Sequence, residues 1–333
     1  MKAISSILLI RLKSIGDVVF TLPAVHALRE NYPTAKITFL TSRENAALLR
    51  GFREVNEIIP LDRAALRSGH PAKVLPEFFG LVKKLRRGKY TLVVDFQGYG
   101  ETAWLSRLTG APQRWGSVYG RGRKWAYTLG PVNEGKIHPA DWNLSLLRQC
   151  GVKIGEIKNE FALPEDALAG ARKFFAENKL EATRPTLFLQ PLTSSPAKNW
   201  PLNNYLAVAR HWRARGVQVI FGGGPADITT LQPAVVENFC IAAGSPLLVS
   251  AGLARLSSLI LGGDTGLSHL ANALGRRVLM VMTGNEPGRC VPYQHADWTV
   301  VPPPRHRISE VTIESVIAAT EAAFSESAGN ASC

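Results

Sequence analysis

Short runs of β-branched and other apolar residues alternate along the chain with longer segments whose apolar residues recur at helical spacing. This alternation is typical of consecutive β-α-β units that build a mostly parallel sheet. In the first half it predicts strands at Ile7–Leu12, Ile37–Thr41, Glu57–Leu61 and Thr91–Phe96. It predicts helices there at Val18–Asn31, Asn45–Gly51, Leu75–Arg87 and Thr102–Gly110, and a loop at Gly116–Asn133.

The second half repeats the alternation of short apolar runs and amphipathic segments. Its predicted strands are Thr186–Gln190, Val217–Phe221, Ser257–Leu261 and Val278–Met282. Its predicted helices are Asn203–Arg215, Ala226–Asn238, Gly266–Leu274 and a last one at Ser309–Ser325. A charged helical stretch bracketed by prolines, Leu163–Pro185, separates the two series and is taken as the linker region.

A chain of 333 residues is too long for one hydrophobic core, so the two series predict two domains, residues 1–163 and 164–333. We expect two Rossmann-like α/β domains that face each other across a cleft, with ligands bound beyond the carboxyl ends of the strands. The last helix, residues 309–325, is a candidate to pack back on the N-terminal domain. No apolar run approaches the roughly 20 residues that span a bilayer. The opening run Ile7–Ile10 is broken by Arg11 and reads as a strand rather than a signal sequence, so we expect a cytoplasmic protein.

The net charge of +13 is concentrated in the first half. Residues 1–160 hold 25 Lys and Arg against 13 Asp and Glu, whereas the remainder holds 14 against 13. This imbalance indicates an anionic partner, such as a phosphorylated glycolipid on a membrane surface. Nucleic acid fits less well, because the basic residues lack interleaved aromatics or a recognition-helix pattern. A solvated basic surface that binds nothing is the remaining alternative.

Cysteine and histidine spacing gives no sign of a metal site. The cysteines have no CxxC spacing and the histidines no HxxxH spacing, which also argues against a disulfide framework. The cysteines stand at Cys150, Cys240, Cys290 and Cys333. A metal-independent mechanism is therefore the simpler expectation.

Two loops that follow predicted first strands carry candidate chemistry. In the loop Lys13–Asp17, Gly16 permits a tight turn, and Asp17 could either cap the next helix or act as a general base. In the loop Thr193–Pro201, hydroxyl groups and Lys198 precede a helix and could cradle a diphosphate. A surface loop closed by a helix-starting proline is the alternative interpretation of this second segment.

Two glycine-rich turns of the second half are further candidates. The turn Phe221–Asp227 lets the backbone approach a ligand, and Asp227 could bond a ribose hydroxyl or cap the next helix. The turn Gly262–Ala271 would present N–H groups at a helix N-terminus to phosphate oxygens. His269 in that turn is either a structural histidine or part of the site, and its polar neighbours favour the site.

Taken together, these loops resemble glycosyltransferase family 9, the ADP-heptose:lipopolysaccharide heptosyltransferases. The matching motifs follow the order of the family over nearly the whole chain. They are Ile15–Val18 with Leu22–Ala24, then Val94–Gly98, then Lys198–Pro201, and above all Asp264–His269. The resemblance implies a GT-B fold, an acceptor-binding N-terminal domain and a C-terminal domain that binds the ADP-sugar. It also implies an inverting, metal-independent transfer of heptose to a lipopolysaccharide inner-core acceptor, without a cofactor, because the ADP-sugar is a substrate.

The resemblance also implies roles for residues of the matched motifs. Asp17 would be the general base that deprotonates the acceptor hydroxyl, and Lys198 would offset the charge that grows on the departing ADP. Asp264 would contact the heptose hydroxyls, and Asp227 would lie near the ribose. The other implied donor-binding residues, around the phosphates, are Thr193, Ser194, Thr265, Gly266, Leu267 and His269.

For the acceptor we expect contacts from the matched N-terminal motifs and from the basic stretch Arg63–Lys89. The expected acceptor-binding residues are Lys13, Ser14, Gln97, Arg63 and Arg67. We expect a monomer that binds a nucleotide-sugar donor and an anionic glycolipid at the cytoplasmic face of the inner membrane, and no nucleic acid.

One loop near the expected donor site departs from the family pattern. Many relatives carry a Gly-Pro-Thr turn where this chain has Met282–Pro287, which leaves the donor preference open. A family member that uses another nucleotide sugar or acceptor, and a binding protein that performs no transfer, are therefore the alternatives.

Overall fold

The computed structural model of the chain describes residues 3–67, 71–119 and 121–329. The chain divides into two compact units, Met1–Asn159 and Glu160–Cys333, and each contains its own parallel sheet. This division lies close to the domain boundary that the sequence places after residue 163. The predicted Rossmann-like α/β architecture is confirmed in both units.

The sheet of the first unit has the strand order β3-β2-β1-β4-β5. Its strands are β1 (Ser6–Ile10), β2 (Lys36–Ser42), β3 (Glu57–Leu61), β4 (Leu92–Asp95) and β5 (Gln113–Gly116). Its helices are α1 (Ile15–Val19), α2 (Leu22–Asn31), α3 (Arg63–Arg67), α4 (Pro71–Arg87), α5 (Gly100–Leu108) and α6 (Pro139–Gln149). Two 3-10 segments cover Arg43–Gly51 and Arg121–Ala126.

Strand β1 is the central strand of this sheet, and its residues Ile7 to Ile10 are completely buried. A central parallel strand is covered on both faces, which accounts for its continuous apolar run. It pairs with β2 on one side and with β4 on the other. Because the strand order reverses between β1 and β4, the loops that follow these two strands meet where α/β sheets bind ligands.

Helices α4 and α5 lie side by side against this sheet. Leu81 and Leu85 of α4 and Leu105 of α5 belong to one apolar cluster with Leu8 and Ile10 of β1. Burial of these side chains therefore fixes which surfaces of α4 and α5 face inwards and which face solvent.

The sheet of the second unit has the strand order β11-β10-β9-β6-β7-β8. Its strands are β6 (Thr186–Gln190), β7 (Gln218–Phe221), β8 (Cys240–Ile241), β9 (Leu259–Gly262), β10 (Val278–Val281) and β11 (Thr299–Val300). Its helices are α7 (Glu165–Glu177), α8 (Leu202–Ala214), α9 (Gln232–Val236), α10 (Leu247–Leu256), α11 (Gly266–Ala273) and α12 (Ile313–Gly329). Short 3-10 segments cover Pro196–Lys198, Pro225–Asp227 and Ile308–Glu310. Here the order reverses between β6 and β9, whose following loops meet in the same way.

The stretch predicted as a linker is instead part of the second unit. Helix α7 packs against α10, where Gly252 allows the helices to approach: a Cβ at this position would lie 2.8 Å from the Cβ of Ala171. The last helix, α12, packs on α8, where the Trp212 indole N–H donates to the Thr320 hydroxyl at 2.9 Å. No helix within the described residues is both long and apolar enough to cross a membrane.

Some predicted elements differ from the structure for identifiable reasons. The single helix predicted at 18–31 is two helices, because Pro23 lacks an N–H group and is favoured in the first turn of a helix, here α2. The prediction of a loop from Gly116 onwards was incomplete, since the 3-10 segment Arg121–Ala126 lies inside it. The pattern also missed β5, β8, β11, α3, α6 and α10. Strand β5 lies at the sheet edge and contains Gln113 and Arg114, so it carries no apolar run.

Gly98 is required where the backbone leaves β4. Its φ is +66°, and a Cβ there would lie 1.7 Å from the carbonyl oxygen of Ser117. We expect Gly98→Ala to lower the free energy of unfolding by more than about 2 kcal/mol, because backbone strain and a clash with fixed backbone add together. Gly110→Ala is the matched control, because its φ is +74° but the space for a Cβ is open. Urea unfolding should show a loss of only about 1 kcal/mol for the control, and equal losses would contradict the prediction.

Candidate active site

The carboxylate of Asp17 is held from two sides. Its Oδ2 accepts hydrogen bonds from the backbone N–H of Ser14 at 2.9 Å and from the Ser14 hydroxyl at 3.2 Å. Its Oδ1 lies 2.7 Å from Nη2 of Arg11. Ser14 is the N-cap residue of α1 and Asp17 the third helical residue, so Asp17 supports the cap rather than being the cap itself. The Asp17 side chain remains 31% exposed, which leaves it accessible to a substrate.

Arg11 and Gln97 hold the loop that carries Asp17. Arg11 donates to the carbonyl oxygens of Lys13 at 3.0 Å and Phe96 at 2.8 Å. The Oε1 of Gln97 accepts from the backbone N–H groups of Leu12 at 2.8 Å and Lys13 at 3.3 Å. Gln97 is completely buried, so in this structure it ties the loop after β4 to the loop after β1.

Asp95, at the end of β4, holds the backbone of the loop that follows β4. Its Oδ1 accepts from the N–H groups of Gln97 and Gly98, and its Oδ2 from the Tyr127 hydroxyl at 2.7 Å. Burial raises the pKa of the Asp95 carboxyl, and these hydrogen bonds oppose part of that rise. The sequence singled out Asp95 only as a member of a motif, whereas the structure gives it a buried supporting position.

A cavity of about 450 Å³ lies beside the loop after β1 in the first unit. Its lining brings together three of the predicted acceptor-binding residues, Lys13, Ser14 and Arg63. Arg63 pairs through two nitrogens with Glu101, at 3.2 and 2.9 Å, and so is held in place by α5. The side chain of Arg67, also predicted to bind the acceptor, lies outside the described residues.

Two exposed tyrosines beside the loop were missed by the sequence reasoning. The Lys13 ammonium lies 5.8 Å from the ring centre of Tyr99, and the rings of Tyr99 and Tyr119 are 5.9 Å apart. Each tyrosine is 43% exposed, which suits aromatic faces that contact a ligand. The only signal in the sequence was the richness in aromatics of the irregular segment that contains Tyr119.

The second unit brings Lys198, Asp264 and His269 together. The Lys198 ammonium lies 2.7 Å from Oδ2 of Asp264, and the Nε2 of His269 lies 3.0 Å from its Oδ1. Burial alone would raise the pKa of Asp264, but His269 and Lys198 outweigh burial and lower that pKa to about 2. The hydrogen bond to Asp264 in turn raises the pKa of Lys198. His269 is only 3% exposed, so it contacts Asp264 from the buried side.

The N-terminus of α11 adjoins this ionic group. Thr265 is the N-cap residue, and its hydroxyl oxygen accepts from the backbone N–H of Ser268 at 3.1 Å. Gly266 and Leu267 begin the helix, and the N–H groups of a first turn have no partner within the helix itself. This end of α11 therefore offers positive potential next to Asp264 and Lys198.

The loop after β6 is fixed by its own hydrogen bonds. The Thr193 N–H donates to Asn199 Oδ1 at 2.8 Å, and the Thr193 hydroxyl donates to the carbonyl oxygen of Ser195. Ser194 is exposed. Gly263 packs against this loop, because a Cβ there would lie 2.6 Å from the Thr193 methyl group. The close packing brings the predicted diphosphate loop against the turn before α11.

A cavity of about 220 Å³ opens beside Lys198 and Asp264. It is lined further by Val281, Met282, Thr283, Gly288, Arg289 and Cys290. Arg289 is held 3.0 Å from Oε2 of Glu286. The segment at 282–287, which departs from the family pattern, thus forms part of the wall of this cavity.

Asp227 is bound to its own turn. Its Oδ2 accepts from the N–H of Gly224 at 2.7 Å, which closes the 3-10 segment Pro225–Asp227. This is the capping alternative that the sequence allowed. Within the described part of the chain, no three His, Cys, Asp or Glu side chains converge as ligands of a metal ion would.

A model of glycosyltransferase family 9 (heptosyltransferase) matches residues 78–316. The lipopolysaccharide core heptosyltransferase OpsX of Haemophilus influenzae is 25% identical over 307 residues, which cover 89% of this chain and 84% of the relative.

Solved structures of the same family share the fold. A glycosyl transferase family 9 protein from Veillonella parvula superposes with a TM-score of 0.84 at 21% identity, covering 97% of each chain. The E. coli heptosyltransferase WaaC with ADP-2-deoxy-2-fluoro heptose gives 0.77 at 20% identity, covering 95% of this chain and 99% of WaaC. The predicted GT-B fold is therefore confirmed.

The low pKa of Asp264 predicts a specific pH dependence of stability. Because the folded-state pKa of about 2 lies below the ordinary 3.8, the stabilisation is fully present above about pH 4 and is lost as the pH falls through about 2. We expect Asp264→Asn to cost about 2 kcal/mol near neutral pH, with the cost shrinking towards pH 2. Urea unfolding across this range measures it, with Glu156→Gln, the loss of an exposed acid, as control. A cost that is independent of pH would contradict the assignment.

Proposed function

The chain belongs to glycosyltransferase family 9, the heptosyltransferase family, and we propose that it transfers heptose from ADP-heptose to a lipopolysaccharide inner-core acceptor. The observation that carries the proposal is the group Lys198–Asp264–His269 at the N-terminus of α11. A cation and a helix N-terminus beside one small cavity suit a diphosphate, and the carboxylate of Asp264 suits sugar hydroxyls. The ADP-heptose analogue bound to WaaC supports this choice of donor.

In the proposed reaction Asp17 is the general base. Its carboxylate would accept the proton of the acceptor hydroxyl while that oxygen attacks the anomeric carbon of the heptose, and the bond to the ADP oxygen breaks. Attack from the face opposite the leaving group inverts the anomeric centre. Arg11 and Ser14 hold both carboxylate oxygens, so the base is oriented before the acceptor arrives.

Departure of ADP is assisted by positive charge in the second unit. Lys198 and the first turn of α11, at Gly266 and Leu267, would meet the diphosphate oxygens. Asp264 would orient Lys198 and bond heptose hydroxyls, and His269 would hold Asp264 from the buried side. Because this charge comes from the protein, the proposal needs no metal ion and no cofactor. Asp227, Thr193 and Ser194 remain proposed contacts to the ribose and the diphosphate.

The acceptor is proposed to bind the first unit. Lys13, Ser14 and Arg63 line its cavity, Tyr99 and Tyr119 offer aromatic faces to a sugar ring, and Gln97 fixes the loop that carries Lys13. The excess of basic residues suits the phosphates of an anionic glycolipid. We therefore propose that the protein acts at the cytoplasmic face of the inner membrane. That it acts as a monomer stays a separate proposal.

Replacing the proposed base separates chemistry from donor binding. We expect Asp17→Asn to lower kcat by about 10² to 10⁴, because the acceptor hydroxyl would lose its proton acceptor while the size of the side chain is kept. ADP release from ADP-heptose in the presence of an inner-core acceptor measures this, and stabilisation by ADP should be unchanged. Glu156→Gln is the control, and an unaltered kcat in Asp17→Asn would refute the assignment.

A thermal-shift panel tests the donor. ADP should raise the apparent stability of the protein, by about 2.7 kcal/mol at a hundredfold excess over its Kd, whereas UDP and GDP should have little effect. Lys198→Met should remove most of the ADP effect because it removes the cation beside the cavity. Lys173→Met, at a lysine that is 76% exposed on α7, should not change it. Stabilisation by UDP or GDP instead of ADP would favour another nucleotide sugar.

A further inference from the structure

Three neighbouring segments of the first unit expose large apolar side chains to solvent. They are α4, α5 and the 3-10 segment Arg121–Ala126. The exposed side chains are Leu75 (52%), Phe78 (37%), Phe79 (64%), Trp104 (59%) and Trp125 (48%). Single exposed apolar residues are ordinary, but several large ones on adjacent elements mark a surface that binds something.

The three segments that carry these side chains are direct neighbours, since α5 contacts both α4 and the 3-10 segment. The rings of Trp104 and Trp125 are 4.6 Å apart, which joins α5 to the 3-10 segment. Helix α4 is joined to α5 below the surface by the apolar cluster of Leu81, Leu85 and Leu105, and at its end by a hydrogen bond from Arg86 to the Leu108 carbonyl. The inward side of both helices is thus occupied by the core, and the aromatic rings lie on the outer side.

Exposed basic residues stand close in sequence to the aromatic residues on each of the three segments. Lys83 and Lys84 follow the phenylalanines on α4, Arg107 lies one turn beyond Trp104, and Lys124 precedes Trp125. All four are exposed. Of the acidic residues on α4 and α5, Glu101 is paired with Arg63, and Glu77 lies half-buried. We name Phe78, Phe79, Trp104, Trp125 and these four basic residues the aromatic-basic face.

We propose that the aromatic-basic face binds the surface of a bilayer that contains anionic lipid. Tryptophan and other amphipathic rings favour the headgroup region, because there the apolar part of the ring contacts lipid while its polar part contacts water. Lysine and arginine beside them are attracted to anionic headgroups. A protein partner fits less well, because the centre of a protein interface is depleted of charged residues, whereas here exposed basic residues stand one turn after Phe79 and Trp104 and next to Trp125.

The face is linked to the proposed acceptor site through α5. Glu101 at the start of α5 holds Arg63, which lines the cavity beside Asp17, and Trp104 lies one turn further along the same helix. Docking at this face would therefore bring a lipid-borne acceptor close to the cavity. This consequence rests on the proposed function, whereas vesicle binding itself does not.

Sedimentation of the full chain with vesicles tests the proposal. We expect binding to phosphatidylcholine vesicles that contain phosphatidylglycerol, much weaker binding to phosphatidylcholine alone, and a decrease with salt. The double variant Phe79→Ser/Trp104→Ser should bind the vesicles at least about tenfold more weakly, because it removes two apolar contacts with the membrane. Lys83→Glu/Lys84→Glu should weaken binding by a similar factor. Val236→Ser, which removes a 77% exposed apolar residue of the second unit, is the control and should bind normally.

A second readout separates this proposal from the proposed function. The double variant should turn over a water-soluble acceptor at the wild-type rate but a vesicle-embedded acceptor more slowly. The proposal would be overturned if the protein failed to bind phosphatidylglycerol vesicles or if the double variant bound them as well as the wild type. It would also be overturned if the protein formed a concentration-dependent dimer that the double variant abolished. If no acceptor is turned over at all, the proposed transfer fails, while sedimentation still decides whether the face binds lipid.

Discussion

The parallel pairing of strands at the point where their order reverses determines the site in each unit. In the second unit, β6 and β9 pair with Gln190 opposite Gly262, so the loops that carry Lys198 and Asp264 leave the sheet side by side. The pairing is close enough to demand glycine, because a Cβ at Gly262 would lie 2.7 Å from the Gln190 carbonyl oxygen. Two side chains 66 positions apart in the sequence thereby form an ion pair.

The ionic group around Asp264 illustrates how a site can contribute to stability as well as to chemistry. Burial of the carboxylate is unfavourable by itself, and the contacts from Lys198 and His269 more than compensate for it. Removing one partner would leave the other charges poorly solvated, which is costly in a partly buried site. In the proposed reaction the same charges meet the donor, so substitutions here should affect folding and catalysis together.

The first unit has two proposed binding surfaces in different places. One lies at the carboxyl ends of its strands, and the other lies on the outer side of helices α4 and α5. At the carboxyl ends of β1 and β4, buried polar groups such as Gln97 and Asp95 fix the backbone of the loops, which leaves Asp17 oriented and accessible. On the outer side of α4 and α5, aromatic and basic residues are left in solvent because the inner side already fills the core. The excess of basic charge in this half therefore serves two proposed contacts, one with the acceptor and one with the lipid around it.

The sequence by itself determined the two parallel sheets and the loops that carry the candidate site, because buried strands need continuous apolar runs and tight turns need glycine. It did not determine edge strand β5, which contains Gln113 and Arg114 and so carries no apolar run. Nor could it distinguish Phe79 from Leu81, since both are apolar residues of one helix, yet one is 64% exposed and the other 6%. Only the tertiary structure decided which of these side chains is exposed. It also decided the position of Asp17 in the cap of α1 and the pairing of Lys198 with Asp264. Exposure and side-chain contacts depend on which elements pack against each other, and that is a property of the whole chain rather than of a local segment.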